Sequence, residues 1–223
     1  MNVELIQYTP DPEKVVAAAA RLCYSPDPVP ELLERLSDEK VAEFVRKLYS
    51  MGHLSTFEHV SFQFSIDGVS RALSHQLVRH RIASYSQRSQ RYVKEVGFEF
   101  VTPPSIQRNP EALARFEKVM ETLQEDYREL LAVVPAEDAR YILPNACTTS
   151  LMATFNARSL LNFLEHRTCV RAQWEIRQLA EKMLKLVQDV APNLFAQAGP
   201  TCVSQGVCHE GAMSCGRINT LRK

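Results

Sequence analysis

Five arginines and two histidines, Arg71, His75, Arg79, His80, Arg81, Arg88 and Arg91, fall between Gly68 and Arg91, a stretch that contains no Asp, Glu or Lys. Arginine offers a planar fork of donors that meets phosphate or carboxylate through two bonds, where lysine offers a point charge; a cluster built from arginine alone is suited to an anion of definite shape. Ser84, Ser86, Gln87, Ser89 and Gln90 interleave with it and add neutral donors. Such a mixture fits a phosphorylated small molecule carrying a polar base. The competing reading pairs these arginines with acids elsewhere, such as Glu58 or Glu95, or lines a subunit contact with them. Binding to nucleic acid would call for a wider basic field and stacking aromatics. Lys plus Arg equals Asp plus Glu at 26 each, and only Tyr85 and Tyr92 lie nearby.

A second polar group comprises Asn156, Arg158, Asn162 and Arg167. Arg158 and Asn162, four apart, share one helical face, while Asn156 stands where a polar side chain caps a helix. Arg140 and the pair His53 and His59 are bland on spacing alone. Cys202, Cys208 and Cys215 with His209 could bind zinc, but their spacing lacks the short Cys-x2-Cys pairing typical of structural sites, so the expectation is a reduced tail with no metal. No P-loop or Ser-His-Asp order is readable, and no Gly-rich dinucleotide fingerprint follows a strand.

The elements that must position these groups follow from periodicity. Val3 to Tyr8 reads as a strand, Asp11 to Cys23 and Ser37 to Met51 as helices with Asp11 and Ser37 at their N-caps, and Glu58 to Ile66 as a half-buried strand. Asp67 is expected to cap a helix over Val69 to Arg81, followed by a polar loop. Phe98 to Val101 looks like a short strand, and Asn109-Pro110 opens a helix with a Leu113, Phe116, Met120, Leu123, Tyr127, Leu130 stripe ended by Pro135. Thr148 to Phe155, Arg158 to His166 and Trp174 to Val190 read as strand, short helix and long helix. The class is α/β (α+β), a mixed sheet flanked by helices without a βαβ repeat or Rossmann domain. The 223 residues suit one domain over 1–200, with 201–223 a cysteine-bearing tail. With no basic leader and no apolar run long enough to span a bilayer, the reading is of a soluble, cytoplasmic protein.

Arg79 to Tyr92, RHRIASYSQRSQRY, closely resembles the signature of the flavin-dependent thymidylate synthases: Arg-His-Arg, two residues, Ser, four residues, Ser, one residue, Arg. The resemblance extends to GHLSTFEHVSF before it and to ARYILPN and NARSLLNFLEHRTCVRAQWEIR after it. It implies a homotetramer with active sites shared between subunits, and FAD bound in an extended manner without a Rossmann loop. By the same resemblance, Gln76, Leu77, Val78, Arg79, Gln87, Arg88, Ser89, Gln90, Arg91 and Arg140 match positions around dUMP. His53, Ser55, Arg79, His80, Arg81, Gln87, Asn156, Ala157, Arg158 and Asn162 match positions at the flavin. Gln87 stands where some members carry Glu, so no step can need a carboxylate there.

The implied reaction is reductive methylation of dUMP to dTMP, with 5,10-methylenetetrahydrofolate as carbon donor, FAD reduced by NADPH, and tetrahydrofolate as a product. Methylation at C5 of uracil needs electron density there, and the resemblance places Arg167 beside the base, where a permanent cation can stabilise a developing uracil anion. No covalent cysteine nucleophile is implied, and Ser89, with no readable base beside it, is assigned to positioning. Two rivals use the arginine cluster alone. One is a flavoprotein oxidoreductase acting on another phosphorylated nucleotide, and the other a non-enzymatic nucleotide- or RNA-binding protein.

Overall fold

The computed structural model describes residues 1–221. β1 (Asn2–Tyr8) leads into α1 (Pro12–Leu22), α2 (Val29–Arg35) and α3 (Asp38–Ser50), and β2 (Ser61–Ser70) into α4 (Arg71–Leu77) and β3 (Ser84–Gln87). Next come α5 (Pro104–Gln107), α6 (Pro110–Val133), α7 (Ala136–Ala139) and β4 (Thr148–Asn156), then α8 (Ala157–Arg167), α9 (Trp174–Val190), α10 (Thr201–Ser204) and α11 (Arg217–Leu221). The strands form one small antiparallel sheet in the order β1-β2-β4-β3, the mixed α/β class expected. Phe62, Phe64 and Ile66 of β2, and Leu151, Ala153 and Phe155 of β4, are buried at alternate positions, so the period of two visible in the residues is the period of burial. No helix among the described residues is long and apolar enough to cross a membrane.

The chain divides into two compact units. The first comprises Met1–Asn2, Ile66–Arg79 and Tyr85–Met152. Leu73 and Leu77 of α4 are fully buried in it, and Phe98, Met120 and Cys147 form a cluster flanked by half-buried Phe100, Phe116 and Leu123. Of the expected stripe on α6 only Met120 and Tyr127 are fully buried.

The second unit comprises Val3–Ser65, His80–Ser84 and the chain from Ala153 onward. Its core is aromatic: Phe57, Phe62, Phe64, Phe155, Phe163 and Phe195 are all at or below 1% exposed, so each removes a full ring from water. The Phe62 and Phe195 rings meet edge to face at 5.3 Å. Beside them Glu13 of α1 accepts from the backbone N–H groups of Asn193 and Leu194 and from the Asn193 amide, tying the first helix to the turn after α9.

Several expectations need correction. Asp67 does not cap a helix; β2 runs on to Ser70, and it is the Ser70 hydroxyl that accepts from Leu73 N–H. The helix accordingly covers only Arg71–Leu77, and β3 forms in what reads as a polar loop. α2, for which no element is expected from the residues, forms where Pro26, Pro28 and Pro30 crowd the chain, with Pro28 at its N-cap and Pro30 in its first turn, where no N–H is needed. Asp11 and Ser37 hold their N-cap positions without a side-chain bond to the helix, Asp11 in the left-handed region at φ 47°. Phe98 to Val101 contributes a single antiparallel bridge, Phe100 to Cys147, rather than a strand.

Candidate active site

The first unit carries the residues matched to the nucleotide. α4 ends beneath them: Leu77 is fully buried, so its contribution to a ligand is confined to the backbone, and its carbonyl accepts from the Tyr85 hydroxyl at 3.0 Å. Burial raises the Tyr85 pKa, so the phenol stays protonated and remains a donor. Gln76 bonds back to the Ala72 carbonyl at 3.4 Å, and Val78 and Arg79 project into solvent from the turn after it. Gln87 faces inward, its amide donating to Ser74 at 3.1 Å and Thr149 at 3.2 Å, and Gln90 is buried against the Cys147 thiol.

Arg88 donates to the Ser150 hydroxyl at 2.7 Å, and the Ser89 hydroxyl accepts from Arg91 N–H. Arg91 forms an exposed pair with the Glu137 carboxylate at 2.9 Å, while Arg140 donates to the backbone carbonyl of the same residue at 3.1 Å. Two arginines that stand far apart in sequence are thus drawn to one residue. Arg79 has no acid partner among the described residues, whereas Arg91 does, so ion pairing accounts for only part of the cluster.

The second unit carries the residues matched to the flavin, together with Arg167. The segment Leu54–His59 is a 3-10 helix that presents exposed His53 at its N-cap and exposed Ser55 in its first turn. α8 begins at Asn156, whose carboxamide oxygen accepts from Ser159 N–H at 2.8 Å; the capping role read from position is present. Ala157 is buried, and Arg158 pairs with Glu58, one of the acids named as a possible partner for the arginines. Arg158 and Asn162 then line a cavity of about 530 Å3 together with Tyr49, Glu165, Gln197 and Gln205. Nothing in the spacing of those last four flagged them, because they gather from α3, α8 and the chain beyond α9.

Arg81 is exposed, whereas His80 is half-buried. The His80 ring stands edge to face on Phe163 at 4.9 Å, and its Nε2 accepts from Arg167 Nε at 3.0 Å. Burial first, then the positive field of Arg167 and the nearby His166, lowers the His80 pKa to about 4. The imidazole is therefore neutral near pH 7, with its proton assigned to Nδ1 so that Nε2 can accept. Burial also lowers the Arg167 pKa, though arginine stays charged under all ordinary conditions. The result is a guanidinium held at one nitrogen by a neutral base, with its remaining donors left for a ligand.

The family described as thymidylate synthase complementing protein matches residues 4–193. Proteins named flavin-dependent thymidylate synthase from Clostridium tetani and Geobacter sulfurreducens are each 51% identical to this chain over all of it, covering 96% and 97% of those relatives. One from Pyrococcus furiosus is 41% identical, over all of this chain and 96% of the relative. The fold and site thus belong to an α/β enzyme class. The chain is a member of the flavin-dependent thymidylate synthase family.

Proposed function

We propose that the protein methylates dUMP to dTMP at C5, taking the carbon from 5,10-methylenetetrahydrofolate and two electrons from NADPH, and releasing tetrahydrofolate and NADP+. Family membership together with the Arg167–His80 pair carries this reading. Arg79, Arg88, Arg91 and Arg140 hold the phosphate and sugar edge of dUMP, with Ser89 positioning it. The Arg91–Glu137 pair is exposed and screened by solvent, so a phosphate dianion can draw Arg91 away from the carboxylate at little cost.

The donor set of the second unit suits FAD. A guanidinium (Arg158), amides (Asn162, Gln197, Gln205) and a phenol (Tyr49) surround one cavity, and this is the chemistry that meets a pyrophosphate, hydroxyls and a flat ring. His53, Ser55, His80, Arg81, Asn156 and Ala157 complete the set in this reading. When bound, the flavin reduced by NADPH supplies the hydride that completes the methyl group. Arg167, oriented by His80, stabilises negative charge developing on the uracil, which raises electron density at C5 without a covalent nucleophile. The chain works as a homotetramer in the cytoplasm, with residues 1–200 as the catalytic domain. Exposed Ile82, Tyr92 and Tyr141 are the kind of apolar surface that such an assembly would cover.

An anaerobic turnover assay with FAD, NADPH, methylenetetrahydrofolate and dUMP tests this. The expected result is one tetrahydrofolate for each dTMP, with both products ceasing when the flavin is stripped. Flavin-loaded protein that oxidises NADPH yet yields no dTMP would instead favour an oxidoreductase acting on another phosphorylated nucleotide.

A further inference from the structure

The cavity of about 530 Å3 in the second unit is lined from one side by α8 and from another by chain beyond residue 193, where the match to the family ends. Ala198, Gly199, Ser204 and Gln205 are the residues it takes from there, and none of the motifs reaches them. The segment is well held. Ala198, Gly199 and Pro200 are buried, and a Cβ at Gly199 would lie 3.2 Å from the Val203 side chain, so the chain folds back on itself at the distance that glycine allows. The Pro200 carbonyl accepts from Val203 N–H at 2.7 Å and from Ser204 N–H at 3.0 Å. Just past this turn the Gln205 amide donates to Glu165 Oε2 of α8 at 3.0 Å.

Arg158, Asn162 and Glu165 line the cavity from α8. Steps of four and seven residues return to nearly the same side of a helix, so the three form one stripe, with Arg158 and Glu165 roughly 10 Å apart along the axis. Among the described residues that line the cavity, these two alone are charged, one of each sign. A phosphate is therefore drawn to the Arg158 end and repelled from the other. An ionised carboxylate only accepts, and with Gln205 on one oxygen Glu165 keeps the second for a donor. Beside it, the Tyr49 ring packs against Phe57 at 6.3 Å, and burial, then the field of Glu165, raises the Tyr49 pKa so that the phenol stays neutral. The Glu165 end thus suits an uncharged group rich in O–H and N–H donors next to a flat ring.

We propose that Glu165, held by Gln205, is the specificity-determining contact for the adenosine half of FAD, and that the residues after α9 are part of the cofactor site rather than an appendage to it. The inference rests on the flavin reading above. Two ribose hydroxyls and an exocyclic amine give the adenosine half the donors that a carboxylate accepts, whereas FMN ends in a phosphate dianion that Glu165 repels. Arg167, assigned to the uracil, lies nine residues after Arg158 and leaves α8 on the opposite side, so within one chain the reacting ring and this cavity belong to different sides of the helix. The half of FAD lodged beside Glu165 is the half that does not react.

The full chain, stripped of flavin, is titrated with FAD and with FMN by flavin fluorescence, and with ADP by displacement of FAD. The native protein should bind FAD more tightly than FMN. Glu165→Gln, which removes the charge from the acceptor, should weaken FAD and ADP by about tenfold and leave FMN within twofold or tighter. Gln205→Ala should weaken FAD by a few-fold in the same pattern, and retained FMN binding shows that each variant is folded. Equal losses of FAD and FMN, undiminished FAD binding in Glu165→Gln, or a native chain that holds FMN as tightly as FAD would each overturn the proposal and leave the thymidylate synthase reading standing. The predicted preference for FAD in a protein that yields no dTMP would sink that reading alone.

Discussion

Replacing His80 by phenylalanine removes the hydrogen bond that holds Arg167 through its Nε. The new ring keeps the edge-to-face contact with Phe163, at 4.9 Å in the native pair, and loses the Nε2 atom that accepts from Arg167 Nε at 3.0 Å. A hydrogen bond to a charged donor contributes about 1.5–3 kcal/mol. With the ring only half-buried, the lower figure applies, and 1.4 kcal/mol is a factor of ten, so kcat for dTMP formation falls by roughly tenfold. KM for dUMP stays near its native value.

The same substitution carries an acid-stability signature that lost packing would not produce. Burial and the adjacent Arg167 and His166 hold His80 at about 4, below the value near 6.5 of an unfolded histidine. Between those values the unfolded chain binds the extra proton, so the stability owed to neutral His80 is complete above pH 6.5 and is lost as the pH falls towards 4. Partial solvent screening keeps the effect to roughly 1–2 kcal/mol. Urea titrations at pH 7 and pH 4.5 should show a smaller loss for His80→Phe than for the native chain. A native kcat, or an unchanged pH dependence in the variant, would refute the assigned role.

Arg167→Ala should retain the flavin and abolish methylation, whereas Arg79→Ala should weaken both flavin and dUMP binding; absorbance at constant protein and nucleotide titration separate the two, and equal flavin loss would contradict the division of roles. Burial pushes the Cys147 thiol up to about 11, so iodoacetamide at pH 8 should label Cys23 and spare Cys147, and Cys147→Ser should still make dTMP. Glu13→Ala removes the acceptor of three hydrogen bonds and leaves the Asn193 and Leu194 backbone groups unsatisfied, which should cost roughly 2–3 kcal/mol in urea titration without altering KM for dUMP.

The elements whose buried faces repeat cleanly are legible in the residues themselves. α9 spans Trp174–Val190 as its apolar periodicity indicated, and β2 and β4 bury alternate side chains. β3 was illegible because Ser84-Tyr85-Ser86-Gln87 carries no apolar alternation; it is a strand because it pairs with β4 at the end of the sheet. Asp67 and Ser70 are both good capping residues, and only the continuation of β2 chose between them. At the candidate site the motif named Arg79 to Arg91, but it could not show that Gln87 turns inward to Ser74 and Thr149. Nor could it show that Tyr49 and Gln205 share a cavity with Arg158, since that depends on tertiary packing across long sequence separations.

Helix α8 has a geometric consequence of its own. At 3.6 residues per turn, residues four apart stay on one side of a helix and residues nine apart leave it in opposite directions, so Arg158 and Asn162 point one way while Arg167, beside Phe163 and His80, points the other. α8 is thus a partition rather than a platform, and its two cations cannot both lie against one flat ligand stretched along it. Either a single ligand bends round the end of the helix, or the two faces serve two different ligands.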